Sequence, residues 1–202
     1  MSNAQKFSGK IGGWIQKHNT EKTEKDMKII RYGLEILYLN IVKFVVLFTI
    51  AYFLKILPYT LVAAFAFTIG RIFAFGMHAK TTWGCYLATG SVYLLIPYLM
   101  LEFSLGIVVR IALSVLIMLG IWLYGPADTE QRPILGEKKR FKFKIKALLL
   151  IGLLIIGSYF MPVIYGDIVI LSLIGEVIMI LPITYKIFSR GYNNYENYES
   201  NF

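Results

Sequence analysis

Charged residues in this 202-residue chain stand in clusters, and between the clusters run apolar stretches of about 20 residues. That is the length a helix needs to cross roughly 30 Å of hydrocarbon. Hydrophobic residues make up 57% of the chain and charged residues 16%, with a mean hydropathy of +0.62. A soluble domain of this size needs far more charge to cover its surface, so soluble and disordered classes are excluded. The net charge of +9 would suggest nucleic acid in a soluble protein. In a membrane protein it reads as the basic loops that set topology, so the expected partner is a lipid bilayer and no nucleic acid is expected.

Residues 1–31 are polar and basic. Phe7, Ile11, Trp14 and Ile15 recur at helical spacing, with Lys6, Lys10 and Lys17 around them. This predicts an amphipathic interfacial helix, weakened by Gly12 and Gly13. The first span is expected over Tyr32 to Leu57 and the second over Pro58 to Phe75. The segment Gly76 to Gly84 is polar. The third span follows over Cys85 to Leu101, with a fourth ending near Tyr124. A long loop is expected over 125–146, a fifth span from Ala147 to Phe160, and a sixth after a turn at Pro162 to Asp167, ending near Phe188. The fold class is thus an all-α polytopic membrane protein with about six transmembrane helices. Three regions result: a basic segment 1–31, one helical transmembrane domain 32–188, and a polar tail 189–202. No short apolar run ending in small residues opens the chain, so no cleavable signal peptide is expected.

With six spans, the N-terminus, segment 76–84, loop 125–146 and the tail lie on one side, holding seven, one, seven and two Lys/Arg, counting Lys186 at the tail boundary; the opposite turns hold only Lys55. This asymmetry predicts that both termini and segment 76–84 are cytoplasmic.

Reactive side chains are scarce. There is one cysteine, Cys85, and two histidines, His18 and His78. No internal disulfide is possible, too few ligands remain for a structural zinc site, and no cofactor is expected. His18 reads as a surface residue. His78 and Cys85 are seven residues apart in RIFAFGMHAKTTWGC, residues 71–85. A histidine beside a thiol can generate a thiolate that attacks carbonyls. The same two residues also read as a small apolar side chain and an interfacial polar one. On a straight helix they would share a face about 10 Å apart, whereas catalytic contact needs roughly 3–3.5 Å. A dyad therefore requires the helix to be broken between His78 and Cys85. Gly76 and Gly84 permit this. His78 is expected where the second helix ends, and Cys85 in the first turn of the third, where a helix N-terminus favours a thiolate.

The pattern Arg71–x4–Gly76–x–His78–Ala79–Lys80, followed by Cys85, resembles the signature of the accessory gene regulator B (AgrB) family. So do the chain length, the basic amphipathic start, and Gly125–Pro–Ala–Asp–Thr–Glu–x–x–Pro133. One departure is Phe75, where many members have a second glycine. The resemblance implies a membrane cysteine endopeptidase of a Gram-positive bacterium, with His78 and Cys85 as catalytic residues. Its implied substrate is an AgrD-like quorum-sensing propeptide with an acidic C-terminal tail, cyclised to a thiolactone or lactone. It extends to Arg71, which could orient a substrate carboxylate or carbonyl, and to Gly76 and Lys80. Lys138, Lys139 and Arg140 could receive the propeptide's acidic tail, or simply supply positive-inside charge and attract anionic lipid. Asp128 is a conceivable third catalytic member. Lys43, Arg110 and Glu176 lie within spans, where such residues usually face the bundle interior and pair. Six short spans are compatible with a homodimer completing the substrate groove. The competing function is a peptide exporter or secondary transporter without proteolytic activity.

Overall fold

A computed structural model describes residues 3–18, 23–77, 82–130 and 133–199. The chain divides into two compact units, Met1–Phe53 and Leu54–Phe202.

In the first unit, α1 (Asn3–His18) packs along α2 (Glu24–Phe53). Helix α1 meets α2 through a face of small residues. Ala4, Ser8 and Gly12 are buried, Phe7, Ile11 and Ile15 are half-buried, and Trp14 is 63% exposed. Small residues four apart let two helix backbones come close. A methyl on Gly12 would lie 2.8 Å from Arg31 Cγ, so this glycine serves packing rather than weakening the helix. Ser8 Oγ donates to Glu35 Oε1 at 3.1 Å, and Phe7 stacks near Tyr38 at 5.2 Å. Helix α2 starts eight residues before the predicted Tyr32. Thr23 and Asp26 form a reciprocal cap: Asp26 N donates to Thr23 Oγ1 (3.2 Å) and Thr23 N to Asp26 Oδ2 (3.0 Å). That cap fixes the helix start within the charged region. Lys43, predicted to lie within a span, holds its ammonium 5.3 Å over the Phe44 ring. His18 is exposed, as expected.

The second unit is a helical bundle. Helix α3 (Leu57–Ala74) opens with Pro58 in its first turn, where a missing N–H costs nothing. Helix α4 (Thr82–Gly90) runs through a π turn (Ser91–Leu95) into α5 (Ile96–Glu102). Pro97 explains the π turn. Its ring crowds the carbonyl four residues back, and widening the preceding turn relieves the clash. Then come α6 (Ile107–Tyr124), α7 (Glu137–Tyr159), α8 (Val163–Ile180), α9 (Pro182–Ile187) and the short α10 (Glu196–Glu199).

Two boundaries correct the sequence reading. Helix α7 begins at Glu137, so Lys138 to Lys146 are helical rather than loop; Lys and Arg are good helix formers, and their charge did not stop the helix. The sixth span ends at Ile180 rather than near Phe188, because Pro182 cannot continue it and starts α9 instead.

Helix α8 is the centre of this unit. Ile168, Val169, Ile170, Leu173 and Ile180 are buried there, and it packs against α3, α5, α6 and α7. The other helices turn Val108, Leu123, Leu149, Leu153 and Phe160 outward, each more than half exposed. An apolar exterior of this extent needs hydrocarbon around it. Among the described residues, five helical stretches are long and apolar enough to cross a membrane: Asp26–Phe53, Leu57–Ala74, Gly84–Glu102, Ile107–Tyr124 and Val163–Ile180. The chain is an all-α polytopic membrane protein.

Arg110 and Asp167, both buried, face each other at 3.2 Å between α6 and α8. Arg110 Nη2 donates to Ser158 O (2.8 Å), and Asp167 Oδ2 accepts from Leu105 N (2.9 Å). The expected pairing of intramembrane charges is met for Arg110.

Candidate active site

Helix α3 stops at Ala74, and α4 begins at Thr82. No continuous helix joins Arg71 to Gly90, as the dyad argument required. His78 and Lys80 lie outside the described residues. Phe75 and Gly76 both take positive φ, 63° and 94°. Phe75 N still donates to Arg71 O at 3.1 Å, closing the last helical turn. The backbone then leaves the helix axis and is pinned on two sides. Ala127 N donates to Ala74 O (2.9 Å) and Gly76 N to Ala127 O (2.9 Å), a parallel bridge between Phe75 and Ala127. Met77 N donates to Met179 O at 3.1 Å, at the end of α8. A side chain at Gly76 has no room: its Cβ would lie 3.2 Å from both Ile180 Cγ2 and Met179 O. Position 76 therefore needs glycine for conformation and for close approach.

Arg71, in the last turn of α3, closes the same turn from inside. Its Nη2 donates to Gly76 O (3.0 Å) and Met77 O (2.6 Å). Its Nε faces Glu176 Oε2 across 3.9 Å, and its guanidinium sits 5.5 Å from the Phe67 ring centre. Arg71 and Gly76, both singled out in the sequence, are thus in direct contact, and Glu176 is the acidic partner of Arg71.

Cys85 is the fourth residue of α4, in its first turn, half-buried and in no disulfide. Two residues tie its helix to α3. Tyr93, in the π turn, meets Thr68 Oγ1 through its hydroxyl at 3.1 Å and packs edge-on against Phe67 at 6.1 Å. Phe67 thus stands between Tyr93 and Arg71, linking the cysteine-bearing helix to the turn that precedes His78.

Asp128, the conceivable third catalytic member, anchors the tail; its position relative to His78 lies outside the described residues. Its carboxylate is buried and accepts from Asn194 N (2.9 Å), Asn194 Nδ2 (3.3 Å) and Tyr195 N (2.9 Å). It fastens the C-terminal tail to the loop after α6. Tyr185 supports the loop, donating to Asp128 O at 2.8 Å. Burial foremost, with the Asp128 charge behind it, pushes the Tyr185 phenol upward, so it stays a neutral donor. Of the basic run, Lys138 and Lys139 are exposed. Arg140 is engaged by the chain's own tail, with Nη1 2.6 Å from Glu199 Oε1 and Tyr195 stacked 3.8 Å from its guanidinium. That hydrogen bond, with a second from Gly136 N, holds the Glu199 carboxyl below its ordinary range. Further along α7, Phe143 packs on Phe73 and Phe75. The basic helix therefore lies against the end of α3. Among the described residues, no three His, Cys, Asp or Glu side chains come together in a way that could hold a metal.

Sequence reasoning gave no role to Glu176, Thr68, Tyr93 or the Ala127 backbone. Only Glu176 carried a signal, as an acidic residue in an apolar span. The others are visible only once the turn has folded.

These features define a class: a polytopic helical membrane protein in which one membrane helix ends at a clamped glycine and the next carries a lone cysteine in its first turn. The chain belongs to the accessory gene regulator B family, whose model matches residues 8–180. That membership carries a role in accessory gene regulation, that is, in quorum sensing. The chain is 32% identical to an AgrB-like protein of Listeria innocua over 92% of its own length and 91% of the relative's. It is 33% identical to an AgrB-like protein of Clostridium acetobutylicum, covering 84% and 82%. With the accessory gene regulator protein B of Staphylococcus carnosus it shares 29% identity, covering 82% and 87%. No solved structure matches it.

Proposed function

We propose that this protein is a membrane cysteine endopeptidase that removes the C-terminal tail of an AgrD-like propeptide and promotes cyclisation of the signal. The observation that carries the reading is the broken helix: α3 ends at Ala74 and α4 restarts at Thr82, with Cys85 in its first turn. A straight helix would have kept His78 and Cys85 about 10 Å apart; the break removes that obstacle. The clamp on Gly76 and Met77 supports it further, since it gives the chain before His78 a fixed direction.

In this reaction His78 accepts the proton of the Cys85 thiol. The sulfur bonds to the carbonyl carbon before the tail, the C–N bond breaks, and His78 returns the proton to the departing amine. The signal stays on Cys85 as a thioester. A cysteine within the propeptide then attacks that carbonyl, its own proton passing to the Cys85 sulfur as the ring closes. This second step trades one thioester for another and is nearly balanced. The first, from amide to thioester, is uphill and is drawn forward by loss of the tail. A serine in place of the propeptide cysteine gives a lactone.

The Lys/Arg asymmetry supports a site and both termini on the cytoplasmic face, where a newly made propeptide is found. Six spans follow if the apolar part of α7 also crosses. Lys138 and Lys139 stand exposed at the start of α7 and offer a landing place for an acidic tail. The substrate groove is completed by a second copy of the chain.

The test is Cys85→Ala in membranes supplied with propeptide. Loss of cleavage with normal insertion is expected; cleavage at the wild-type rate would leave an exporter without proteolytic activity as the better reading.

A further inference from the structure

Glu176 is fully buried on α8, and among the described residues neither of its carboxylate oxygens takes a hydrogen bond. Burying a carboxylate this way is costly, and a neutral side chain of similar size would pack α3 against α8 without that cost. Two glycines lie close to it: a methyl on Gly70 would stand 3.8 Å from Glu176 Cγ and one on Gly76 3.4 Å from Oε1, both ordinary contact distances. The cation facing it is Arg71, Nε to Oε2 at 3.9 Å.

Arg71 is shared between two tasks. One edge of the guanidinium faces Glu176, while Nη2 holds the carbonyls of Gly76 and Met77. Phe67 lies under it. A guanidinium at this depth with no counter-charge is drawn outward toward water and headgroups. Nη2 would then leave the two carbonyls, and the residue after Met77 is His78.

We propose that Glu176 is a positioning residue for the peptidase reaction: through Arg71 it fixes the Gly76 and Met77 carbonyls, the segment that leads into His78. This rests on the dyad reading above. Glu176 touches neither substrate nor nucleophile in this role. It holds the arginine that holds the turn.

The test uses the full-length protein in membranes and the rate at which iodoacetamide alkylates Cys85, the only cysteine in the chain. Glu176→Gln should slow alkylation by about tenfold, the scale of losing a partner that orients a functional group. His78→Ala should slow it as well. The double variant should be no slower than His78→Ala alone, because Glu176 acts through His78. A wild-type rate in Glu176→Gln overturns the proposal. So does a tenfold further loss in the His78→Ala background, which would mean general loosening. If His78→Ala itself alkylates at the wild-type rate, the dyad fails, whatever Glu176→Gln does. Should Glu176→Gln fail to insert, Glu176→Asp keeps the carboxylate but withdraws it from Arg71. Slowed alkylation is expected there too, and an unchanged rate overturns the proposal.

Discussion

Two adjacent residues, Phe75 and Gly76, carry the change of direction on which the site depends, and they do so differently. Gly76 sits at φ 94° with Ile180 and Met179 against its α-carbon. Gly76→Ala is expected to cost about 1–3 kcal/mol of backbone strain and to break the pairing with Ala127. Propeptide cleavage should fall severely while the amount of inserted protein, read by immunoblot, falls much less. Phe75 holds φ 63° despite having a side chain, and its ring packs edge-on against Phe143 at 5.2 Å. That contact offsets the strain a glycine would not have. In the sequence, Phe75 stood out only as a departure from the family pattern; its partner is 68 residues away and could not be read from local pattern. Gly76, Arg71 and Cys85 were legible because scarce or special residue types fell at a recognisable spacing. Glu176 was legible as an anomaly, but its partner was not, since the sequence does not say which turn of α3 faces α8.

At the scale of elements, the helices could be read from apolar runs, and their ends mostly could not. The capping pair Thr23 and Asp26 starts α2 inside a charged region, Pro182 cuts the last span short, and α7 extends through six basic residues between Lys138 and Lys146. Charge marks where a helix leaves hydrocarbon rather than where it ends. The tail is the clearest case of an element that pattern could not place. It reads as polar and Tyr/Asn-rich, yet it is anchored by the buried Asp128 through three hydrogen bonds, by Glu130 to Gly191 N at 2.9 Å, and by Glu199 to Arg140. Asp128→Ala removes the central anchor, and losing a carboxylate that accepts several buried N–H groups costs about 1–3 kcal/mol per orphaned partner. Trypsin should then cut after Arg190 markedly faster than in the wild type. An unchanged cleavage rate would mean the tail is held by Glu130 and Arg140 alone.

At the scale of the bundle, an exterior of Val, Leu, Ile and Phe leaves little hydrophobic force to hold helices together in lipid, so packing and buried polar contacts matter more. The Arg110–Asp167 pair is one such contact outside the candidate site. Asp167→Ala leaves the guanidinium unpaired and is expected to destabilise by about 3–5 kcal/mol, whereas a double replacement of Arg110 and Asp167 by apolar residues of similar volume should recover most of that loss. Thermal unfolding in detergent reads the difference. Cleavage chemistry should be little altered in the double variant, because this pair does not touch the clamp around Gly76.

The central claim is that Cys85 forms a covalent bond with the signal. The direct measurement is mass spectrometry of the full-length protein incubated with a propeptide whose ring-closing cysteine is replaced by alanine. With no internal nucleophile, the thioester cannot resolve by cyclisation. The account predicts a mass increase equal to the tail-less propeptide, mapped to Cys85 and released by hydroxylamine. Cleaved propeptide in the same sample with no adduct on Cys85 would contradict it.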